Sequence, residues 1–129
     1  MKRPERMQSG RVPTDIRLQR SSGILTLVFD DEQQFALSAE YLRVYSPSAE
    51  VRGHGPGQAI LQVGKTDVGM TQIEAVGNYA IRIHFDDGHN TGLYSWDLLY
   101  DLGSNQAEYW QQYLDALAQA GYTRDGGTG

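Results

Sequence analysis

Hydrophobic and polar residues alternate with a period of two over much of this chain, in short runs separated by turn residues. Asp15–Arg20 sets Ile16 and Leu18 against Arg17 and Gln19, the pattern of a half-buried strand. Ser21–Gly23 reads as a turn, Ile24–Phe29 (ILTLVF) as a second strand, Asp30-Asp31-Glu32 as a polar turn and Gln34–Leu37 as a third strand. Ser38 is placed to cap a short helix over Ala39–Tyr45, because its hydroxyl can accept from the free amides of the first turn, and Pro47 stops that helix. Ser46–Gly57 is then a loop and Ala59–Val63 a short apolar strand ending at Gly64-Lys65.

The second half opens with a strand at Thr71–Val76, broken by Gly77-Asn78. Tyr79–Phe85 puts Tyr79, Ile81, Ile83 and Phe85 on one face and Ala80, Arg82 and His84 on the other. Asp86-Asp87-Gly88 is a turn with a hairpin signature, its two aspartates expected in water, and Asn90–Tyr94 is the returning strand. Ser95 caps a predicted helix from Trp96 to Leu102 that Gly103 ends. Asn105, with Glu108 as capping-box partner, starts a last helix over Gln106–Ala120. That helix places Trp110, Tyr113, Leu114 and Leu117 on one stripe, and Gly121 stands where a C-terminal cap belongs.

The two halves echo each other. Ile24–Leu37 and Ala80–Leu93 align without a gap at an offset of 56, so Phe29-Asp30-Asp31 falls on Phe85-Asp86-Asp87. One inserted residue then puts Ser38 on Ser95 and Leu42 on Leu99. Duplication and convergence on the same turn and cap chemistry both account for this. Either way the predicted fold is α+β: a twisted, mainly antiparallel sheet built from two hairpin-plus-helix units, with a C-terminal helix packed on it.

A chain of 129 residues, 40% hydrophobic and 21% charged, is the size of one domain with an ordinary core. It has no cysteine, which excludes disulfides, thiolate metal sites and cysteine nucleophiles. No apolar run approaches the ~20 residues that span a bilayer, and no signal-peptide core is visible, so no membrane partner and a cytoplasmic location are expected. Residues 1–12 carry Lys2, Arg3, Arg6 and Arg11 against Glu5, a balance of +3, which leaves −8 on the other 117 residues of a chain with net charge −5. An acidic body repels phosphate backbones, so nucleic acid is an unlikely class of partner. Residues 1–12 read as a disordered basic tail, 13–122 as the domain and 123–129 as a second disordered tail.

The loop around Arg52-Gly53-His54-Gly55 is the least ordinary stretch. Its glycines let backbone amides approach a ligand, and Arg43, Arg52 and His54 could supply charge to an anion. The plainer reading is a structural loop wrapping the sheet, with Arg52 paired to Glu50 or a neighbouring acid. His84 and His89 flank the Asp-Asp-Gly turn, and His54, Asp87 and His89 form a candidate zinc or iron set, weighed against a simple tight turn. No GxSxG elbow or Walker loop is present, and Asp30, Asp31, Asp86 and Asp87 sit at turn tips, so no catalytic residues are assigned. Tyr94, Trp96, Tyr109, Trp110 and Tyr113 read as the seam between the last helix and the sheet.

Tyr41-Leu42-Arg43, SPSAEVRGHGPGQ at Ser46–Gln58 and VGNYAIRIHFDDGHNTGLYSWDLLYDL at Val76–Leu102 together resemble the gamma-butyrobetaine hydroxylase-like N-terminal domain family, over roughly Pro13–Tyr122. The resemblance implies a small accessory module. In larger members the domain precedes a 2-oxoglutarate-dependent oxygenase domain, and a similar domain is attached to some P-loop iron–sulfur carriers. In the carnitine-pathway hydroxylases it binds structural zinc through three cysteines and one histidine. Ser46, Ser48 and Val51 follow Leu42-Arg43 as those cysteines do, and His89 follows the acidic turn as that histidine does, so only His89 carries over. The cysteine-type zinc site and the oxygenase's own residues are therefore expected to be absent, and no cofactor is assigned.

The expected function is a stand-alone, non-catalytic binding or accessory module. It would contact an unknown protein or small anion through the surface of Arg43, Arg52, Gly53, His54 and Gly55. The alternative is a zinc- or iron-binding accessory protein linked to iron–sulfur or 2-oxoglutarate oxygenase systems, through His54, Asp87 and His89.

Overall fold

A computed structural model describes residues 11–48 and 61–126. The elements run β1 (Pro13–Gln19), β2 (Ile24–Phe29), β3 (Gln34–Ser38), α1 (Ala39–Val44), β4 (Met70–Val76), β5 (Ala80–Phe85), β6 (Leu93–Ser95), α2 (Trp96–Ser104) and α3 (Gln106–Ala120). The strands form two antiparallel three-stranded sheets, ordered β1-β2-β3 and β4-β5-β6. Each sheet is followed by a helix whose N-cap is a serine: Ser38 Oγ accepts from the Tyr41 amide and Ser95 Oγ from the Leu98 amide, both at 3.1 Å. The expected α+β class, the two hairpin-plus-helix units and the C-terminal helix are all present, with the strands divided between two sheets.

The echo extends further in space than in sequence. Both first strands shift register near their start, between Pro13 and Asp15 and between Met70 and Gln72. A threonine hydroxyl sits in each shift, Thr14 donating to Val28 O and Thr71 to His84 O. The acidic turns also match. Phe29 and Phe85 amides donate to Gln33 O and His89 O, while Asp31 Oδ1 and Asp87 Oδ1 accept from the amides two residues on. Glu32 holds the left-handed conformation (φ 71°) that Gly88 holds in the second turn (φ 90°).

Alternation in β2 and β5 decides what is inside. Leu25, Leu27 and Phe29 meet Ile81, Ile83 and Phe85 in one core, joined by Leu37, Tyr41, Leu42, Tyr94, Leu99 and Leu102. Burying each such side chain stabilises by about 1.5–3 kcal/mol before chain entropy is counted. Val44, Tyr113 and Leu117 form a smaller cluster under α3, with Leu61 and Val63 packed against it. Tyr41 OH donates to Leu102 O at 2.7 Å and Tyr94 OH to Leu42 O at 2.6 Å. No helix among the described residues is long and apolar enough to cross a membrane.

Several expectations are corrected. The described part of the strand expected at 59–63 is irregular: Leu61 and Val63 face α3, and the Gln62 carbonyl accepts from Tyr113 OH in place of a ladder partner. Tyr79 lies in the turn with its ring outside, so the strand begins at the buried Ala80. Residues 90–92 carry no ladder, and β6 starts at Leu93. Gly103 does not end its helix. A Cβ there would stand 2.3 Å from the Phe35 ring, so glycine permits close approach of helix and strand. Asn105 gives α3 no side-chain cap because its amide turns back to Asp101, and Glu108 pairs with Gln112. Gly121 caps α3 as expected, with φ 82°.

Candidate functional site

The end of α1, the residues just after it and the second acidic turn meet in a buried polar corner. Arg43, Ser46, Ser48 and His89 are all buried there. Ser46 Oγ lies 2.8 Å from His89 Nε2 and also accepts from the Ser48 amide at 3.3 Å. Gly92 makes room for this hydroxyl, since a Cβ at 92 would come within 2.4 Å of it. The His89 ring tilts against Phe85, with centroids 6.0 Å apart.

Asp87 is the electrostatic centre. Its Oδ1 accepts from the His89 amide at 3.1 Å. Its Oδ2 accepts from Arg43 Nε at 2.9 Å and from Lys65 Nζ at 2.8 Å. Burial pushes the Asp87 carboxyl up, but Lys65, the His89 amide and Arg43 outweigh it and hold the group at about 2. Arg43 completes its bonding by donating to Gln62 Oε1 at 3.1 Å. The segment between Ser48 and Leu61 therefore leaves from one side of this network and returns to the other.

Two expectations change here. Asp87 does not simply face water, because two cations converge on it. Arg43 is not a surface contact: it is 8% exposed and spent on Asp87 and Gln62. Arg52, Gly53, His54 and Gly55 lie outside the described residues. Of the candidate metal set, His89 and Asp87 are neighbours, each bonded within the corner, and His54 is outside the described residues. His84 stands apart, its Nε2 3.1 Å from Glu74. Among the described residues no group of three or more metal-ligating side chains converges.

Of the positions that the family resemblance relates to zinc ligands, Ser46, Ser48 and His89 share one corner, and Val51 lies outside the described residues. Their donors do not fit that ion: serine hydroxyls replace thiolates, and the His89 nitrogen meets Ser46 directly. Here a hydrogen bond joins the two segments. Sequence reasoning did not single out Gln62, Lys65 or Gly92, which are ordinary residues in polar surroundings until the chain brings them beside Arg43, Asp87 and Ser46.

The family described as gamma-butyrobetaine hydroxylase-like, N-terminal, matches residues 16–100. Two proteins with NMR solution structures are 47% and 48% identical to the chain, each with a TM-score of 0.78. The matches cover 89% and 95% of this chain and 90% and 91% of theirs. A crystal structure of a DUF971-family protein of unknown function from Acidithiobacillus ferrooxidans is 34% identical, with a TM-score of 0.59, and covers 70% of this chain and 91% of its own. No curated protein matches. The chain belongs to the gamma-butyrobetaine hydroxylase-like N-terminal domain family.

Proposed function

We propose that the protein is a non-catalytic binding module that contacts a protein or a small anion through the segment between Ser46 and Gln62, with Arg52 and His54 as its contact groups. One observation carries this reading: the stems of that segment are tied to a single buried network, Ser46 through His89 and Gln62 through Arg43. A segment whose flanking residues are both anchored in one network loses less freedom on binding than one whose ends are free. In this reading Arg43, Asp87 and His89 are the support, and glycine-bordered amides with Arg52 form the contact. The acidic body makes nucleic acid a poor partner.

Inorganic phosphate titration, followed by amide resonances, tests the anion arm. The amides of Gly53–Gly57 should shift saturably, and Arg52→Ala should abolish the shift. Affinity purification tests the protein arm: a captured partner should be lost on Arg52→Ala and retained on Arg17→Ala. Unmoved Gly53–Gly57 signals together with no partner sensitive to Arg52 would refute the proposal.

A further inference from the structure

A second site, sharing no residue with the Ser46–His89 corner, lies between α1 and α3. Glu40 in the first turn of α1 is 7% exposed, yet its carboxylate faces a cleft of about 540 Å³ bordered by Ser38, Tyr41, Gln106 and Trp110. A buried carboxylate is costly unless a cation meets it. Here the cation is Arg124, from the polar stretch beyond the Gly121 cap. Its Nη2 donates to Glu40 Oε1 at 2.6 Å and its Nε to Oε2 at 3.2 Å, a two-pronged fork. The guanidinium carbon stands 5.3 Å from the Trp110 ring centroid. A carboxylate floor, an aromatic wall and bidentate geometry are what an arginine side chain selects, and a lysine would use the fork poorly.

The Arg124 side chain is 48% exposed. Its segment is held through backbone bonds, Tyr122 donating to Leu117 O, Gly64 to Arg124 O and Gly126 to Thr123 O, so exchange of Arg124 turns on its side chain. The cleft volume lies in the range of ligand pockets. We propose that this groove is a docking site for an arginine side chain carried on a partner polypeptide, and that Arg124 is its intramolecular stand-in. A partner arginine exchanges with Arg124, so the chain's own tail weakens binding by the fraction of time it occupies the groove. Hydrogen bonding to Glu40 also raises the Arg124 pKa, consistent with a site built for a permanent cation.

The test uses an acetylated, amidated four-residue peptide copied from residues 122–125, the same peptide with neutral citrulline in place of arginine, and acetyl-arginine amide. Binding is read from the Trp110 indole N–H and the Glu40 and Tyr41 amides of the full chain. In Arg124→Gln the arginine peptide should shift these signals saturably, at least tenfold more tightly than the citrulline peptide and at least fivefold more tightly than it binds the unmodified chain. It should also exceed acetyl-arginine amide in affinity. The unmodified chain should rank the two peptides in the same order at higher concentration, so the test does not rest on the variant folding. Equal binding of the citrulline peptide, or no movement at Trp110 in either protein, would show a purely structural ion pair and overturn the proposal. Equal affinity for acetyl-arginine amide would overturn the polypeptide part of it.

Discussion

Substituting Gly92 tests the packing of the buried corner. The Gly92 backbone has no positive φ, so Gly92→Ala is a question of space alone. The added Cβ would meet Ser46 Oγ at 2.4 Å and Pro47 Cδ at 3.1 Å, and Ser46 must move. Overpacking of this kind costs about 1–3 kcal/mol. Moving Ser46 also breaks its 2.8 Å bond to His89, at a place where both residues are nearly inaccessible to water. A buried polar group left unsatisfied costs about 1–3 kcal/mol. Alanine regains about 0.4–1 kcal/mol through the less flexible unfolded chain, so the net loss should be about 1–6 kcal/mol. Ser46→Ala alone loses the bond and should cost about 1–3 kcal/mol. In the double variant the closest clash is gone and the bond cannot be lost twice. Its cost should therefore fall short of the sum by at least ~1 kcal/mol, as contacting residues do in such cycles. Urea denaturation of the four proteins measures this, with unchanged m-values confirming a common unfolded state. Additivity to within about 0.5 kcal/mol would refute the assignment of Gly92 as the seat of the Ser46 hydroxyl.

Two further outcomes follow from the acidic turns. Because the Asp87 carboxyl is held at about 2, below its ordinary 3.8, the stability it lends is present above about pH 4 and lost as pH falls toward 2. Solvent access reduces that contribution to about 1 kcal/mol, so Asp87→Asn should destabilise at pH 7 by about 1–3 kcal/mol once the unpaired Arg43 is included, and the gap to the parent should close toward pH 2 in a urea-versus-pH series. Glu32 pays about 1 kcal/mol for its left-handed backbone, so Glu32→Gly should raise stability by up to about 1 kcal/mol, while Gly88→Ala should lower it by about 1 kcal/mol despite open space around it. A lower melting temperature for Glu32→Gly would contradict this account.

Most of the regular structure is legible locally. The alternation of ILTLVF and the serines before Ala39 and Trp96 specify β2, α1 and α2 from neighbouring residues alone, and α3 matches its expected span to the residue. Most of the failures come from contacts between distant parts of the chain. Gly103 resembles a helix stop until Phe35 is placed against it. Asn105 is the local exception, its side chain claimed by Asp101 four residues before it. Leu61 and Val63 resemble a strand until α3 offers them an apolar face. The site divides in the same way. The kinship of Ser46, Ser48 and His89 was visible in the sequence, whereas their burial was not. Arg43 appeared available to a ligand because nothing in its neighbourhood forecast the approach of Asp87 and Gln62 from 44 and 19 positions away.

The reciprocal tyrosine bonds tie the fate of the two halves together. Leu42 and Leu102 each lie in the last turn of a short helix, where carbonyls have no intrahelical partner. Tyr94 from the second half satisfies the first helix, and Tyr41 from the first half satisfies the second. Each near-copy thus completes the other's helix terminus, and separating them would strand one buried acceptor on each side. Cleaved or permuted forms should keep both halves associated or lose both at once, and hydrogen exchange at β2 and β5 should report a single opening event.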